Sequence, residues 1–247
     1  MLLRRELTIW TMIVWTTFCG GFAAASKAAD NADTESAQSI EVDSGIAAGI
    51  PFSPIQLDGY LNVLFAPGGD LDKSGLRLQV GGQGGTFIQG PTEAQANFLL
   101  GYSFASGDNS LTLMSGVGVQ STHFTGHRVR NVNLEWASSA ELDTKPTQST
   151  TLSAQASYST ALNEYYSQLD AGYAVAKDLY LGPFVAFVGD DRFQQGRVGA
   201  KFFGIKFGSA ELGLNAGYLE DLGKPSDRDH DSVVNGAFVG ADVSVRY

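Results

Sequence analysis

Over most of the chain, apolar and polar residues exchange places at every second position. Phe98, Leu100, Tyr102 and Phe104 alternate with Asn97, Leu99, Gly101 and Ser103. Leu152, Ala154, Ala156 and Tyr158 alternate with Ser153, Gln155, Ser157 and Ser159, and Leu212, Leu214, Ala216 and Tyr218 with Glu211, Gly213, Asn215 and Gly217. The final stretch sets Ala237, Val239, Ala241, Val243, Val245 and Tyr247 against Phe238, Gly240, Asp242, Ser244 and Arg246. A period of two is the signature of a strand with two different faces, and no helical period of similar length occurs. The pattern predicts strands at about 40–50, 55–66, 75–88, 94–105, 110–121, 131–142, 150–159, 164–175, 179–188, 196–206, 210–220 and 234–247. Turn-rich stretches such as Gly107-Asp108-Asn109 and Gly223-Lys224-Pro225 separate them.

Twelve strands of this kind fit either a soluble sandwich or lipocalin-like barrel, or a membrane-spanning one. Composition separates the two. Only 17% of the residues are charged and 30 of 247 are Gly, against roughly 25% and 7% in ordinary soluble domains. Opposite the apolar positions stand mostly Gly, Ser, Asn and Gln, where a solvent-facing strand would carry Lys and Glu. Small polar side chains suit a crowded interior, so the expected fold is all-β: a closed, antiparallel, up-and-down transmembrane β-barrel of about 12 strands. The net charge of −10, with no basic stripe, excludes nucleic acid as a partner.

The N-terminus begins with Arg4-Arg5, continues through an apolar run from Leu7 to Phe22 and reaches Ala23-Ala24-Ala25. This is the order of a secretory signal peptide, expected to occupy 1–25 and to direct export. Thr8, Thr11, Thr16 and Thr17 interrupt the run, which is short for a membrane helix. The single cysteine, Cys19, lies inside it, so the exported chain is expected to have no thiol chemistry. Residues 26–39 are polar and aperiodic and are expected to form a flexible tail, leaving 40–247 as the barrel domain. An exported chain without a spanning helix can enter a membrane only as a closed barrel, which places it in the bacterial outer membrane in contact with lipid.

Connection lengths follow the outer-membrane rule of short periplasmic turns and longer outside loops. Those at 106–109, 176–178 and 207–209 fall on the periplasmic side, and those at 122–130, 189–195 and 221–233 outside. The periplasmic connections at 67–74 and 143–149 are longer than the rule expects. Val243, Val245 and the terminal Tyr247 are similar to the C-terminal sorting signal read by the barrel assembly machinery. The register that keeps charges out of lipid turns Arg77, Glu135, Asp170, Arg197, Lys201, Glu211, Asp242 and Arg246 inward, where mixed signs imply ion pairs. Tyr166, on the polar face, and Phe184 and Phe193, flanking Gly189-Asp190-Asp191, are the candidate contacts for a sugar.

Other chemistry is thin. His123 and His127 are four apart in a loop without a nearby carboxylate, and the acidic run Asp227, Asp229, His230, Asp231 lacks the Gly and distal Glu of a calcium loop. Asp72-Lys73-Ser74 has neither the preceding Gly nor the following helix of a phosphate loop, and no G-x-S-x-G elbow occurs. No metal, cofactor or catalytic residue is therefore expected. A barrel enzyme or a general small-solute pore is the alternative function.

Short motifs from Leu57 onward carry a family likeness. They are Phe65-Ala66-Pro67-Gly68 with Gly75-Leu76-Arg77-Leu78-Gln79-Val80-Gly81-Gly82, then Leu100-Gly101-Tyr102, then Ala156-Ser157-Tyr158-Ser159-Thr160-Ala161 with Tyr165-Tyr166. Leu181-Gly182-Pro183-Phe184-Val185-Ala186 follows, and then Gly189-Asp190-Asp191-Arg192-Phe193 with Gln195-Gly196-Arg197-Val198-Gly199-Ala200. In this order they resemble the BcsS family of cellulose biosynthesis proteins. The resemblance implies a non-enzymatic outer-membrane accessory of cellulose production, with cellulose or its export components as partners. The stretch Thr122 to Asn131 departs from the acidic, proline-containing pattern of that family.

Overall fold

The computed structural model describes residues 38–51, 56–87, 92–123, 130–191, 194–223 and 235–247. Twelve strands run in chain order: β1 (Ile40–Pro51), β2 (Gln56–Phe65), β3 (Gly75–Phe87), β4 (Thr92–Ser106), β5 (Asn109–His123) and β6 (Arg130–Thr147) form the first half. The second half comprises β7 (Thr150–Ser159), β8 (Glu164–Ala176), β9 (Leu179–Gly189), β10 (Gln194–Phe207), β11 (Ala210–Asp221) and β12 (Gly236–Arg246). Each strand pairs antiparallel with its chain neighbours, and β12 returns to β1 to close the barrel. At that seam the Tyr247 carbonyl accepts from the Ser39 and Ile40 amides, and the Tyr247 amide donates to the Ile40 carbonyl. Closure leaves no unpaired sheet edge.

One expectation is corrected. The connection at 143–149 is not a long loop: β6 continues to Thr147 and meets Thr150 of β7 across a tight turn. Asp143 and Thr144 pair with Ser153 and Leu152, so the alternation of Leu142 and Asp143 persists past the predicted strand end. The β2–β3 connection, 66–74, does remain long. It is tied down by amide-to-carbonyl bonds from Ala66 to Ser39 and from Leu71 to Gln38.

The outward face is apolar. Leu76, Val80, Phe98, Leu100, Phe104, Val117, Val119, Val198 and Val239 all project from it, and Leu134 is 80% exposed. A continuous exposed apolar surface of this kind is rare on a protein surrounded by water and is the wall a barrel shows to lipid. Aromatic rings gather near its two edges. Phe65, Tyr102, Phe104, Tyr173 and Phe207 lie toward the rim that carries both chain ends, and Trp136, Tyr158, Phe187 and Tyr218 toward the distal rim. The Tyr and Trp rings among them, which carry a polar edge, suit such interfaces, and the two bands bracket the apolar wall.

Strand tilt makes the inward rows oblique. A single in-register row passes Gln56, Gly49, Phe238, Gly217, Gly199, Phe184, Asp170, Ser153, Asp143 and Ser110. It starts at the distal end of β2 and finishes at the opposite end of β5. A bulge between Phe202 and Ile205 interrupts β10. Gly204 takes a φ of 88° there, and a Cβ would sit 2.0 Å from the Asp178 carbonyl oxygen, so only glycine fits.

Candidate functional site in the lumen

Alternation and register together put Arg77, Glu135, Asp170, Arg197, Lys201, Glu211, Asp242 and Arg246 on the inward face. Five of these charges sit in ion-pair groups. Arg197 reaches Asp58 of β2 at 3.1 Å, spanning the lumen from β10. Lys201 stands between Asp170 at 3.8 Å and Asp242 at 3.6 Å, and Arg246 bonds Glu41 at 3.0 Å and Asp72 at 3.2 Å. Glu211 faces Lys206 and Ser244 in register.

Two of the expected ion pairs are replaced by hydrogen bonds. Arg77, 2% exposed, donates to the carbonyls of Leu76, Leu71 and Lys73, so its guanidinium holds the 66–74 turn from within the barrel. Carbonyl oxygens on a turn folded toward the rim serve it as well as a carboxylate. Glu135, 3% exposed, accepts from Gln95 at 2.8 Å and from the Ser159 hydroxyl. Outside the wall, in that same turn, Lys73 sits 2.8 Å from Asp70. Its hydrogen bond, aided by the Asp72 amide, holds the Asp70 carboxyl below the usual carboxylate range.

Amides dominate one side of the lumen. Gly45, Tyr60, Gln83, Gln95, Gln120 and Asn133 form a second in-register row across β1 to β6. Glu164 of β8 accepts from Gln83 at 3.1 Å and from Gln120 at 3.0 Å, a second contact that crosses the interior. Near the first crossing, Gln195 donates to Gln56 at 3.4 Å and accepts from Arg197 at 2.7 Å. Buried acceptors Asn97 Oδ1 and Gln120 Oε1 meet no protein donor. An unmet buried acceptor costs about 1–3 kcal/mol.

Apolar side chains fill other sectors. Phe184 and Phe238 flank the cross-strand glycine pair Gly199–Gly217 and meet edge to face at 5.6 Å, with Leu219 beside them. Phe184 is therefore only 6% exposed. It braces the lumen and offers no ring face to a sugar, contrary to its expected role. Leu99, Met114 and Ala137, with Leu64, make a second apolar cluster.

Tyr166 does face the lumen, half-buried. Its hydroxyl donates to Gln168 and accepts from Gln155 at 3.4 Å, and Gln168 continues the chain to Asp170 at 2.6 Å. Phe193 lies outside the described residues, as do His127 and the acidic run from Asp227 to Asp231. The aromatic that sequence reasoning missed is Tyr60. Its ring lies over Gly45, where a Cβ would stand 2.4 Å from Tyr60 Cε1, and the residue is 39% exposed. Its signal was present, because Tyr60 shares parity with Asp58 and Asn62 and opposes Leu57, Leu61 and Val63. Glu41, Asp43, Glu141 and Asp143 were missed in the same way, and they make the interior richer in acid than in base.

At the C-terminus, Val243 is half-buried and Val245 is 4% exposed, on the face opposite the lumen. Tyr247 completes the seam with β1. Among the described residues, no group of three or more His, Cys, Asp or Glu is arranged to hold a metal ion.

The barrel has solved counterparts. An outer membrane channel from Pseudomonas putida F1 superposes with a TM-score of 0.53 at 11% identity, covering 88% of this chain and 98% of that one. A variant of the TodX monoaromatic hydrocarbon channel gives 0.50 at 9% identity, covering 86% and 91%. The KdgM porin gives 0.49 at 8%, covering 84% and 99%. At such identities the likeness concerns the fold, which is that of outer-membrane barrels. No curated protein matches the chain in sequence. The sequence model described as cellulose biosynthesis protein BcsS matches residues 58–247, a span that runs from inside β2 to the last residue. With that match over all but the first strand and the start of the second, the chain belongs to the BcsS family of cellulose biosynthesis proteins.

Proposed function

We propose that this protein is a non-enzymatic accessory barrel of the bacterial outer membrane that assists export or surface organisation of cellulose. The rim bearing both chain ends faces the periplasm, and the distal rim faces outward. The observation that carries the reading is the pairing of family membership with a lumen walled by amides, hydroxyls and paired charges. A neutral glucan offers hydroxyls to such a wall and needs no counter-charge. The working partners are outer-membrane lipid, the barrel assembly machinery that inserts the chain, and cellulose or its export components. Contacts that cross the interior, Arg197 to Asp58 and Gln83 to Glu164, argue against a wide general pore.

On this reading, synthesis of the glucan falls to another protein. Deleting the gene is expected to lower or alter extracellular cellulose while isolated membranes keep full glucan synthase activity. Unchanged cellulose in the deletion strain would remove the reading. Fractionation checks the location: the mature protein should leave the membrane only with detergent and should migrate differently on gels with and without boiling.

A further inference from the structure

We propose that Tyr60 and Gln83, with Glu141, Gln155 and Ser157, form a subsite in the lumen for a short run of neutral, equatorially hydroxylated sugar such as a β-1,4-glucan. The inference rests on the reading given above and narrows it to named residues and a ligand class.

Some inward side chains are covered by their neighbours, as Arg77, Gln120, Glu135, Phe184 and Gln195 are. Tyr60, Gln83, Glu141, Gln155 and Ser157 are instead exposed within the barrel. They carry complementary chemistry. The Tyr60 ring packs over Gly45, and the residue is 39% exposed. A pyranose with equatorial hydroxyls presents axial C–H bonds above and below its ring, and those pack on an aromatic face. Around its edge it presents hydroxyls that both donate and accept.

Gln83 is the next residue in register from Tyr60, one strand spacing away. Its amide is already oriented by Glu164, at 3.1 Å, which reduces the cost of ordering it around a ligand. Gln155 is oriented through the Tyr166 hydroxyl. Glu141 lies in register with Gln155 and supplies a carboxyl group able to hydrogen-bond two adjacent hydroxyls. The charge of the wall sets the selectivity. Glu41, Asp43, Asp58, Asp143, Asp170 and Asp242 are the other acids of this part of the barrel and Arg197, Lys201 and Arg246 its cations, so acid outnumbers base and a polyuronate would be repelled where an uncharged glucan is not.

The test is calorimetric titration of the full-length mature barrel, folded in detergent micelles, with cellohexaose and separately with hexagalacturonate. Cellohexaose should bind and hexagalacturonate should not. Tyr60→Ala should weaken cellohexaose binding roughly tenfold, the equivalent of one lost stacking contact, whereas Tyr60→Phe should keep it. Gln83→Leu should weaken it severalfold, and the lipid-facing Leu100→Ala should leave it unchanged. Gel mobility with and without boiling checks that each variant is folded. Normal binding by folded Tyr60→Ala and Gln83→Leu would overturn this subsite and leave the cellulose role standing. Failure of the wild-type barrel to bind cellohexaose, or equal affinity for hexagalacturonate, would overturn the ligand class, and a cellulose defect in the deletion strain would then still support the broader role.

Discussion

Arg77 houses a full charge inside the barrel with carbonyl oxygens as its partners. Replacing it with Met keeps the stem and removes the donors, freeing the Leu71 and Lys73 carbonyls and the 66–74 turn. Arg77→Met is expected to destabilise the folded barrel by about 2–4 kcal/mol, read as a lower urea midpoint for loss of the heat-modifiable form. An unchanged midpoint would mean that the turn is held without the guanidinium. Single residues also show where the sequence stops being informative. Parity alone assigns Tyr60, Tyr166 and Phe184 to the inward face, and all three are there. Which of them keeps an open ring depends on what arrives from elsewhere. Phe184 is covered by Phe238, 54 positions along the chain, whereas Tyr60 finds a bare glycine beneath it. Burial of that kind is set by side chains on strands distant in the chain and leaves no mark on local alternation.

At the scale of strands, Arg197 joins β10 to β2 without any backbone pairing between them. Removing one partner leaves the other charge in the wall. Arg197→Met should therefore cost roughly 1–3 kcal/mol, less than a fully buried pair would, because the Asp58 carboxylate is a third exposed. The double variant Arg197→Met with Asp58→Leu should recover much of that loss in a double-mutant cycle measured by urea unfolding. Strictly additive losses would show that the two side chains do not interact. The same contact predicts an electrical effect: Arg197→Ala with Asp58→Ala should raise single-channel conductance in planar bilayers above that of the wild type. The bulge at Gly204 is equally local in cause, and Gly204→Ala should weaken the β9–β10 end of the barrel because its Cβ would meet the Asp178 carbonyl.

For the whole molecule, alternation was enough to read twelve strands and their closure, because every strand in such a barrel separates lipid from lumen along its full length. The exception was the end of β6, where Lys145 and Pro146 obscure a pattern that Asp143 and Thr144 in fact continue. The ion-pair network was less legible, since Arg197 with Asp58, and Arg246 with Asp72, link residues more than a hundred positions apart. Tyr247→Asp keeps the backbone bonds of the seam and alters only the terminal ring. It should permit export and reduce membrane insertion, seen as protein that no longer shifts on heating, whereas normal insertion would discard Tyr247 as a sorting determinant. That seam also fixes the order of events in assembly. Eleven pairings join strands adjacent in the chain and can form as hairpins, but the twelfth brings Glu41 to Arg246, 205 residues later. Contacts of such separation are slow to find, and until they form both terminal strands expose unpaired edges. Before that seam forms the barrel is an open sheet, and either of its terminal edges could pair with the edge of another copy as readily as with its own partner.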